Sequence, residues 1–423
     1  MNLTDVDDRI IKICNEKGYD LKEFTEKYAK AFFDDLNFLS VDLADEYPRA
    51  TEYVSKMVEI IQGLLDKGIA YHSDDGSIYY SIAKFSRYGE LSGIKRDELK
   101  VGARVRVDDY GKDSAEDFAL WKSWDEQDGK IFWETSLGKG RPGWHIECSA
   151  MSMKLLGEHF DIHTGGVDNI FPHHENEIAQ SEGFTGKKFV NYWLHSEHLL
   201  INETKMAKRL GNFVTVKDLR DRGIEGKTLR YFLLSGHYRY QLNFAENSLE
   251  QAAASVKRIN EFVSRLNDSL QSSVDKTRAT DSEVILLLEK SREKYVSALE
   301  NDLDAPTALA AVFDLVTEGN RLLDKGNLGS RSIEALLDFM RKDFDSVFAV
   351  LYQTSDESLG VLESTLLAER KAARDSKDWK KSDELRSRLI SLGIEVQDTP
   401  IGQKWRRMMK SRTPGAGFEP TRP

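Results

Sequence analysis

Apolar residues recur every three or four positions towards both ends of the chain, and between them the period changes. Phe24, Tyr28, Phe32 and Leu36 form one stripe, and Val54, Met57, Ile61, Leu64 and Leu65 form a second that ends before Gly68. Residues 1 to about 70 are therefore predicted helical. Ser77-Ile78-Tyr79-Tyr80-Ser81-Ile82 has the content of a strand, and the stretch to Pro142, rich in Gly, Asp and Lys, is predicted to hold short β pieces. From Trp144 to Phe213, the apolar segments Phe160-Asp161-Ile162-His163 and Val190-Asn191-Tyr192-Trp193-Leu194 alternate with helical ones. That alternation predicts an α/β layer with a parallel sheet. Beyond Ser248 the stripe Leu249, Ala253, Val256, Ile259, Val263, Leu266 and Leu270 opens a series predicted to form an antiparallel helical bundle. A short module at 363–407 follows. Ser411 to Pro423, rich in Gly and Pro without apolar periodicity, is predicted disordered.

With 423 residues the chain can build two or three domains. An apolar share of 40%, a charged share of 31% and only two cysteines, Cys14 and Cys148, fit a soluble protein of a reducing, cytoplasmic compartment without a disulfide framework. No apolar stretch reaches the roughly 20 residues that span a bilayer, so no membrane partner is expected. The net charge of −11 is unevenly spread. From Leu366 onward there are 14 Lys and Arg against 8 Asp and Glu, a net of +6, which leaves −17 on the rest. A basic module on an acidic body suits local contact with a polyanion, although a solvated helical tail has the same composition.

The densest chemistry lies between Trp144 and Glu177, where Cys148, His163, His173, His174, Glu175 and Glu177 cluster. His173 and Glu177 are four apart, so on a helix they share a face and could share a metal with Cys148. Cys, His and carboxylate together suit zinc, and three ligands leave an open position. A buried thiol beside a His pair near a helix start fits the spacing equally. Cys14, with no His nearby, is read as a packed core thiol. Lys205-Met206-Ala207-Lys208-Arg209-Leu210-Gly211 is a positive loop between a strand and a helix, suited to charge on a phosphate leaving group. Near the C-terminus, Arg374, Asp378, Trp379, Asp383, Asp398 and Trp405-Arg406-Arg407 combine a stacking ring with groups that read base edges. Spacing alone favours a plain amphipathic hairpin there, with Trp379 as its core anchor.

Read together, these segments resemble the cysteinyl-tRNA synthetases, a family of class I aminoacyl-tRNA synthetases. The resemblance rests on Asn2-Leu3-Thr4-Asp5-Val6-Asp7-Asp8, Asp117-Phe118-Ala119-Leu120-Trp121-Lys122 and Gly140-Arg141-Pro142-Gly143-Trp144-His145-Ile146-Glu147-Cys148-Ser149. It continues through Phe160-Asp161-Ile162-His163, Phe171-Pro172-His173-His174-Glu175-Asn176-Glu177, the 205–213 loop and Trp405-Arg406-Arg407. It implies an α/β fold: an incomplete Rossmann-like catalytic domain at 1–240 with an insertion at about 72–142, a helical bundle at 241–360, an anticodon-binding module at 361–410 and a tail at 411–423. The implied activity is ATP-dependent attachment of L-cysteine to tRNA(Cys) through a cysteinyl-adenylate, by a cytoplasmic monomer using Zn2+, with Mg2+ accompanying ATP.

Carried over position by position, the resemblance makes Cys148, His173 and Glu177 zinc ligands, and Thr4 and Trp144 walls of the amino-acid pocket. Lys205 and Lys208 become the catalytic lysines of the mobile loop, with Lys208 on ATP. Arg374, Trp379, Asp383 and Asp398 become anticodon contacts. The chain departs from the family pattern in two ways. A zinc-ligand cysteine and a His-Ile-Gly-His helix start precede the Thr-Asp-Val-Asp-Asp segment in the family, and here the chain begins at that segment, so it is read either as a truncated member or as one whose true start lies upstream. The lysine loop carries Ala207 and Arg209 where serines are usual. The alternatives are a cysteine ligase acting on an amino sugar, which needs no anticodon module, and a non-catalytic tRNA-binding paralogue.

Overall fold

The computed structural model describes residues 1–94, 117–206, 210–272, 281–326, 328–352, 361–392, 394–399 and 402–407. It divides into two compact units: Met1–Lys205 with Gly236–Phe244, and Met206–Ser235 with Ala245–Pro423.

In the first unit the N-terminal segment is tied down by polar contacts. Asp5, buried, accepts from the Thr51 amide and hydroxyl at 2.9 and 2.6 Å. The Asp7 carboxylate then caps the start of α1 (Asp8–Lys17). Cys14 sits in this helix as a buried core thiol, as its apolar surroundings in the sequence predicted. Helix α2 (Leu21–Phe38) departs from its predicted stripe: it buries Thr25 and Ala29, while Tyr28 is 58% exposed. The aromatic residues instead pack on one another outside the core, Phe24 against Tyr19 and Tyr28, and Phe32 and Phe33 against Tyr47. Helix α3 (Val54–Asp66) buries Met57, Ile60, Ile61 and Leu64, near the predicted stripe.

An antiparallel sheet follows, built from β1 (Ala70–His72), β2 (Ile78–Tyr80), β3 (Phe118–Ser123), β4 (Trp133–Thr135) and β5 (Gly138–Pro142), in the order β1-β2-β3-β5-β4. Its β3 is buried almost throughout, and Trp121 is fully enclosed. From the end of its inner strand β5 springs α4 (Trp144–Leu156). Gly143 makes this launch possible, because a Cβ there would stand 2.1 Å from the Ala119 carbonyl oxygen. Its amide donates to Leu120 O at 2.9 Å, so the backbone of β3 fixes the direction in which α4 leaves. Strand β6 (Phe160–Gly166), helix α5 (Glu175–Thr185) and strand β7 (Val190–Ser196) complete a right-sized crossover, and β6 pairs with β7 in parallel, Ile162 opposite Tyr192. This is the predicted parallel layer. Strands β8 (Leu199–Ile201) and β9 (Thr204–Lys205) close the continuous part of the unit.

In the second unit, α6 (Val216–Asp221) opens with a reciprocal Thr215–Asp218 capping box, and α7 (Gly226–Leu234) follows. The chain then returns to the first unit for β10 (Leu242–Phe244), which lies parallel to β8. Helices α8 (Glu246–Ser272), α9 (Asp281–Glu300), α10 (Ala305–Asp324), α11 (Ser330–Asp338) and α12 (Asp345–Phe348) form the helical region. Helix α8 buries Leu249, Val256, Ile259, Val263 and Leu266 as predicted, buries Ala252 in place of the predicted Ala253 and Phe262 besides, and leaves the predicted Leu270 half-buried. The C-terminal module consists of α13 (Val361–Asp375), α14 (Trp379–Ser391) and the hairpin β11 (Ile394–Thr399) and β12 (Gly402–Arg407). Its core is Leu366, Leu367, Ala373, Leu385, Leu389, Ile394 and Val396. Trp379 is not the predicted anchor: it is 55% exposed, because it stands at the first position of α14, outside the face that carries Leu385 and Leu389. The predicted disorder of 411–423 lies outside the described residues.

Candidate metal centre and its surroundings

Helix α5 has no apolar face to bury. It buries Glu175, Asn176, Glu177, Gln180 and Ser181, and charged and amide groups enter a core only when partners await them. Most of them find partners. Glu175 accepts from the amides of Gly89, Leu91 and Ser92, so this member of the predicted cluster is a turn anchor and is turned away from any metal. Asn176 accepts from the Tyr88 hydroxyl. Gln180 donates to His145 O and Ser149 Oγ, both at 3.0 Å.

Gln180 Oε1 and Ser181 Oγ lack a hydrogen bond, and Glu177 goes furthest. It is 0% exposed, and neither carboxylate oxygen receives a hydrogen bond. Leaving a buried group unsatisfied costs about 1–3 kcal/mol, and more for a charge. What faces it is a set of metal-ligating atoms. Cys148, His173 and Glu177 place one ligand atom each within 4.8 Å of one another, and so do His163, His174 and Glu177. His173 Nε2 stands 3.9 Å from Glu177 Oε1, and His163 Nε2 stands 3.3 Å from Oε2. The electrostatics of these groups follow from their burial. Burial pushes the Glu177 carboxyl well above its ordinary value. Burial, then the facing Glu177 and Glu147, do the same to the Cys148 thiol. Burial and neighbouring imidazoles push His173 down to about 2. A bound dication would reverse the penalty on thiolate and carboxylate together and accept the neutral imidazole as it stands. A sulfur, a nitrogen and an oxygen donor fit zinc on chemistry as well.

The groups around these donors orient them. Asn2 Nδ2 donates to Cys148 Sγ at 2.9 Å, bringing the N-terminal segment to the centre. Thr4 follows two residues later and is exposed. His173 and His145 meet Nδ1 to Nδ1 at 2.9 Å, one ring donating and the other accepting, which leaves His173 Nε2 on the side of Glu177. His174 is held the same way, its Nδ1 2.8 Å from His195 Nε2. Trp144 stacks on His173 with ring centroids 4.2 Å apart, yet is 47% exposed, so one face of the indole is open beside the ligand set. His145, His195 and Asn2 lie outside the cluster that spacing had marked. Their partners stand on other elements, at separations no local period encodes. Lys205 ends β9, with Nζ 3.0 Å from His198 Nε2. Lys208, Ala207 and Arg209 lie outside the described residues.

In the C-terminal module three of the four predicted contacts come together. Arg374 is 3.0 Å from Asp398 Oδ2, and its guanidinium lies over the Trp379 ring at 5.5 Å. Asp383 is exposed one turn beyond Trp379 on α14. Asp398 also accepts two bonds from the buried Arg370, whose hydrogen bonding, with Arg374 and Arg386 beyond, holds its carboxyl below the usual range.

Three family models match the chain. One described as the class I (C) tRNA synthetase catalytic domain covers residues 1–254, a DALR domain covers 294–352, and a cysteinyl-tRNA ligase anticodon binding domain covers 358–406. A cysteine–tRNA ligase of Protochlamydia amoebophila is 46% identical over 411 residues, which are 96% of this chain and 84% of that protein. Those of Chlamydia muridarum and Brachyspira hyodysenteriae are 45% and 44% identical, each over 96% of this chain and 86% of theirs. No helix among the described residues is long and apolar enough to cross a membrane. A class I catalytic domain is thus followed by DALR and anticodon-binding domains, and the chain belongs to the cysteine–tRNA ligase family.

Proposed function

We propose that this chain attaches L-cysteine to tRNA(Cys) in two steps, forming cysteinyl-adenylate from cysteine and ATP and then transferring the cysteinyl group to the 3′ end of the tRNA. Cys148, His173 and Glu177 would hold a zinc ion, which supplies a soft Lewis-acid position that takes the thiolate of cysteine and refuses the hydroxyl of serine. Asn2 and His145 orient two of those ligands. The open face of Trp144 and the exposed Thr4 wall the amino-acid pocket. Lys205 and Lys208 stabilise charge on the ATP phosphates as pyrophosphate leaves, with Mg2+ accompanying the nucleotide. Residues 1–240 form the catalytic domain, 241–360 the helical domain and 361–410 the module in which Arg374, Trp379, Asp383 and Asp398 meet the anticodon.

The single observation that supports this reading best is the Glu177 carboxylate, wholly buried and without a hydrogen bond, facing Cys148 and His173. The test is ATP–pyrophosphate exchange by the zinc-loaded chain with cysteine or serine as the amino acid. Exchange that depends on cysteine and is close to background with serine is expected. Equal exchange with both, or none with cysteine in a folded chain that holds zinc, overturns the reading.

A further inference from the structure

We infer that Arg370 is a positioning residue for anticodon recognition: its buried guanidinium fixes the Asp398 carboxylate and, through it, Arg374. This inference rests on the assignment of Asp398, Arg374 and Trp379 to the anticodon.

Arg370 is 1% exposed, and a charge so placed needs a counter-charge and hydrogen bonds; both of its terminal nitrogens find them, while its Nε has none. It grips a cross-strand pair. Asp398 and Gln403 stand directly opposite each other in the β11–β12 hairpin. Arg370 Nη1 donates to Asp398 Oδ1 and Gln403 Oε1, and Nη2 donates to Asp398 Oδ2, all at 2.9 Å. The planar fork thereby sets the plane of the carboxylate, which a single-point cation could not do. Gln403 is itself anchored, donating from Nε2 to Leu367 O at 2.6 Å on the helix that carries Arg370.

The contacts then run outward. Arg374 follows Arg370 by four residues on α13, so the two cations share a face. Between them lies one carboxylate: its Oδ2 takes Arg370 Nη2 at 2.9 Å and Arg374 Nη1 at 3.0 Å. Arg374 is held from its other side by the Trp379 ring at 5.5 Å. Asp398, Arg374 and Trp379 thus form one unit whose three members all reach solvent, pinned from the inside by a buried group that no RNA can touch. If Arg370 lets go, the carboxylate turns and Arg374 loses one of its two supports.

The experiment measures the full chain's Kd for tRNA(Cys) transcripts with the native anticodon and with single-base anticodon substitutions. A residue that only supports folding lowers the binding-competent fraction for every transcript alike, so the ratio of the two Kd values stays fixed. A positioning residue changes the ratio. Arg370→Lys, which keeps the charge and loses the fork, is expected to lower the ratio about tenfold, the scale of one well-placed polar base contact. Where R370K does not melt as a folded protein, Gln403→Glu takes its place. The new carboxylate competes with Asp398 for the guanidinium, and the same fall in ratio is expected. A ratio unchanged in a folded variant, while Asp398→Asn lowers it, overturns the role of Arg370. A ratio that Asp398→Asn also leaves unchanged overturns the anticodon assignment on which the role depends.

Discussion

Cys148 and Glu177 show how little a residue's identity says without its surroundings. Among the described residues the protein's other thiol, Cys14, is buried in an apolar helix face, where Cys148 is half-buried, and Cys14 faces no cluster of imidazoles and carboxylates. Around Cys148, burial and two carboxylates raise the thiol, and a dication, as proposed, would stabilise a thiolate there. Cys148→Ser should therefore lose nearly all zinc by elemental analysis of the purified chain, while its melting behaviour shows that it still folds. Stoichiometric zinc in that variant would remove the assignment. The His145 contact yields a graded prediction. Since His145 fixes which nitrogen His173 turns to Glu177, His145→Ala should weaken zinc about 10–100-fold in competition with a chelator, the usual effect of losing a group behind a ligand. That Cys148, His173 and Glu177 come together was legible in the sequence, because His173 and Glu177 share a helical period and the motif around Cys148 is specific. The groups behind them were not. Asn2 reaches Cys148 across 146 positions, and His195 reaches His174 from strand β7.

At the level of elements, apolar period located nearly every helix but did not always give the buried face. The aromatic stripe of α2 is half outside, because large rings can satisfy one another at the surface while the small Thr25 and Ala29 permit close approach inside. Helix α5 lacked an apolar period altogether, since its buried face serves the site. Close approach also decides how α10 meets α8. A Cβ at Gly319 would lie 2.6 Å from Cζ of Phe262, a ring with no exposed surface. Gly319→Ala would gain about 1 kcal/mol of helix propensity and incur about 1–3 kcal/mol of overpacking. The clash should win, lowering the unfolding free energy by about 1 kcal/mol in urea titrations. Combining it with Phe262→Leu should restore part of that loss, as a double-mutant cycle would register. Simple additivity of the two substitutions would mean that the ring and the glycine are not coupled.

Over the whole molecule, the groups proposed for cysteine and those proposed for the anticodon fall on different compact units. The Cys148 centre lies wholly within the unit built from Met1–Lys205, and Trp379 lies within the other. The charge is divided in a similar way, with a net of +6 from Leu366 onward on a chain whose total is −11. Binding of tRNA should therefore be set by a local basic field plus stacking, and it should be separable from chemistry on cysteine. Trp379→Ala removes an exposed ring that carries a guanidinium on one side, and losing one stacked base weakens binding by about 1–3 kcal/mol. The Kd for tRNA(Cys) should rise accordingly while cysteine-dependent ATP–pyrophosphate exchange keeps its rate, because exchange needs no tRNA. Salt distinguishes the ring from the charges beside it. Trp379→Ala should leave the slope of log Kd against log salt almost unchanged, since no counterion is released by a ring, whereas replacing a phosphate-neutralising cation lowers it by about one. A steep loss of slope in Trp379→Ala would mean that the ring acts by holding Arg374 against a phosphate and stacks on no base.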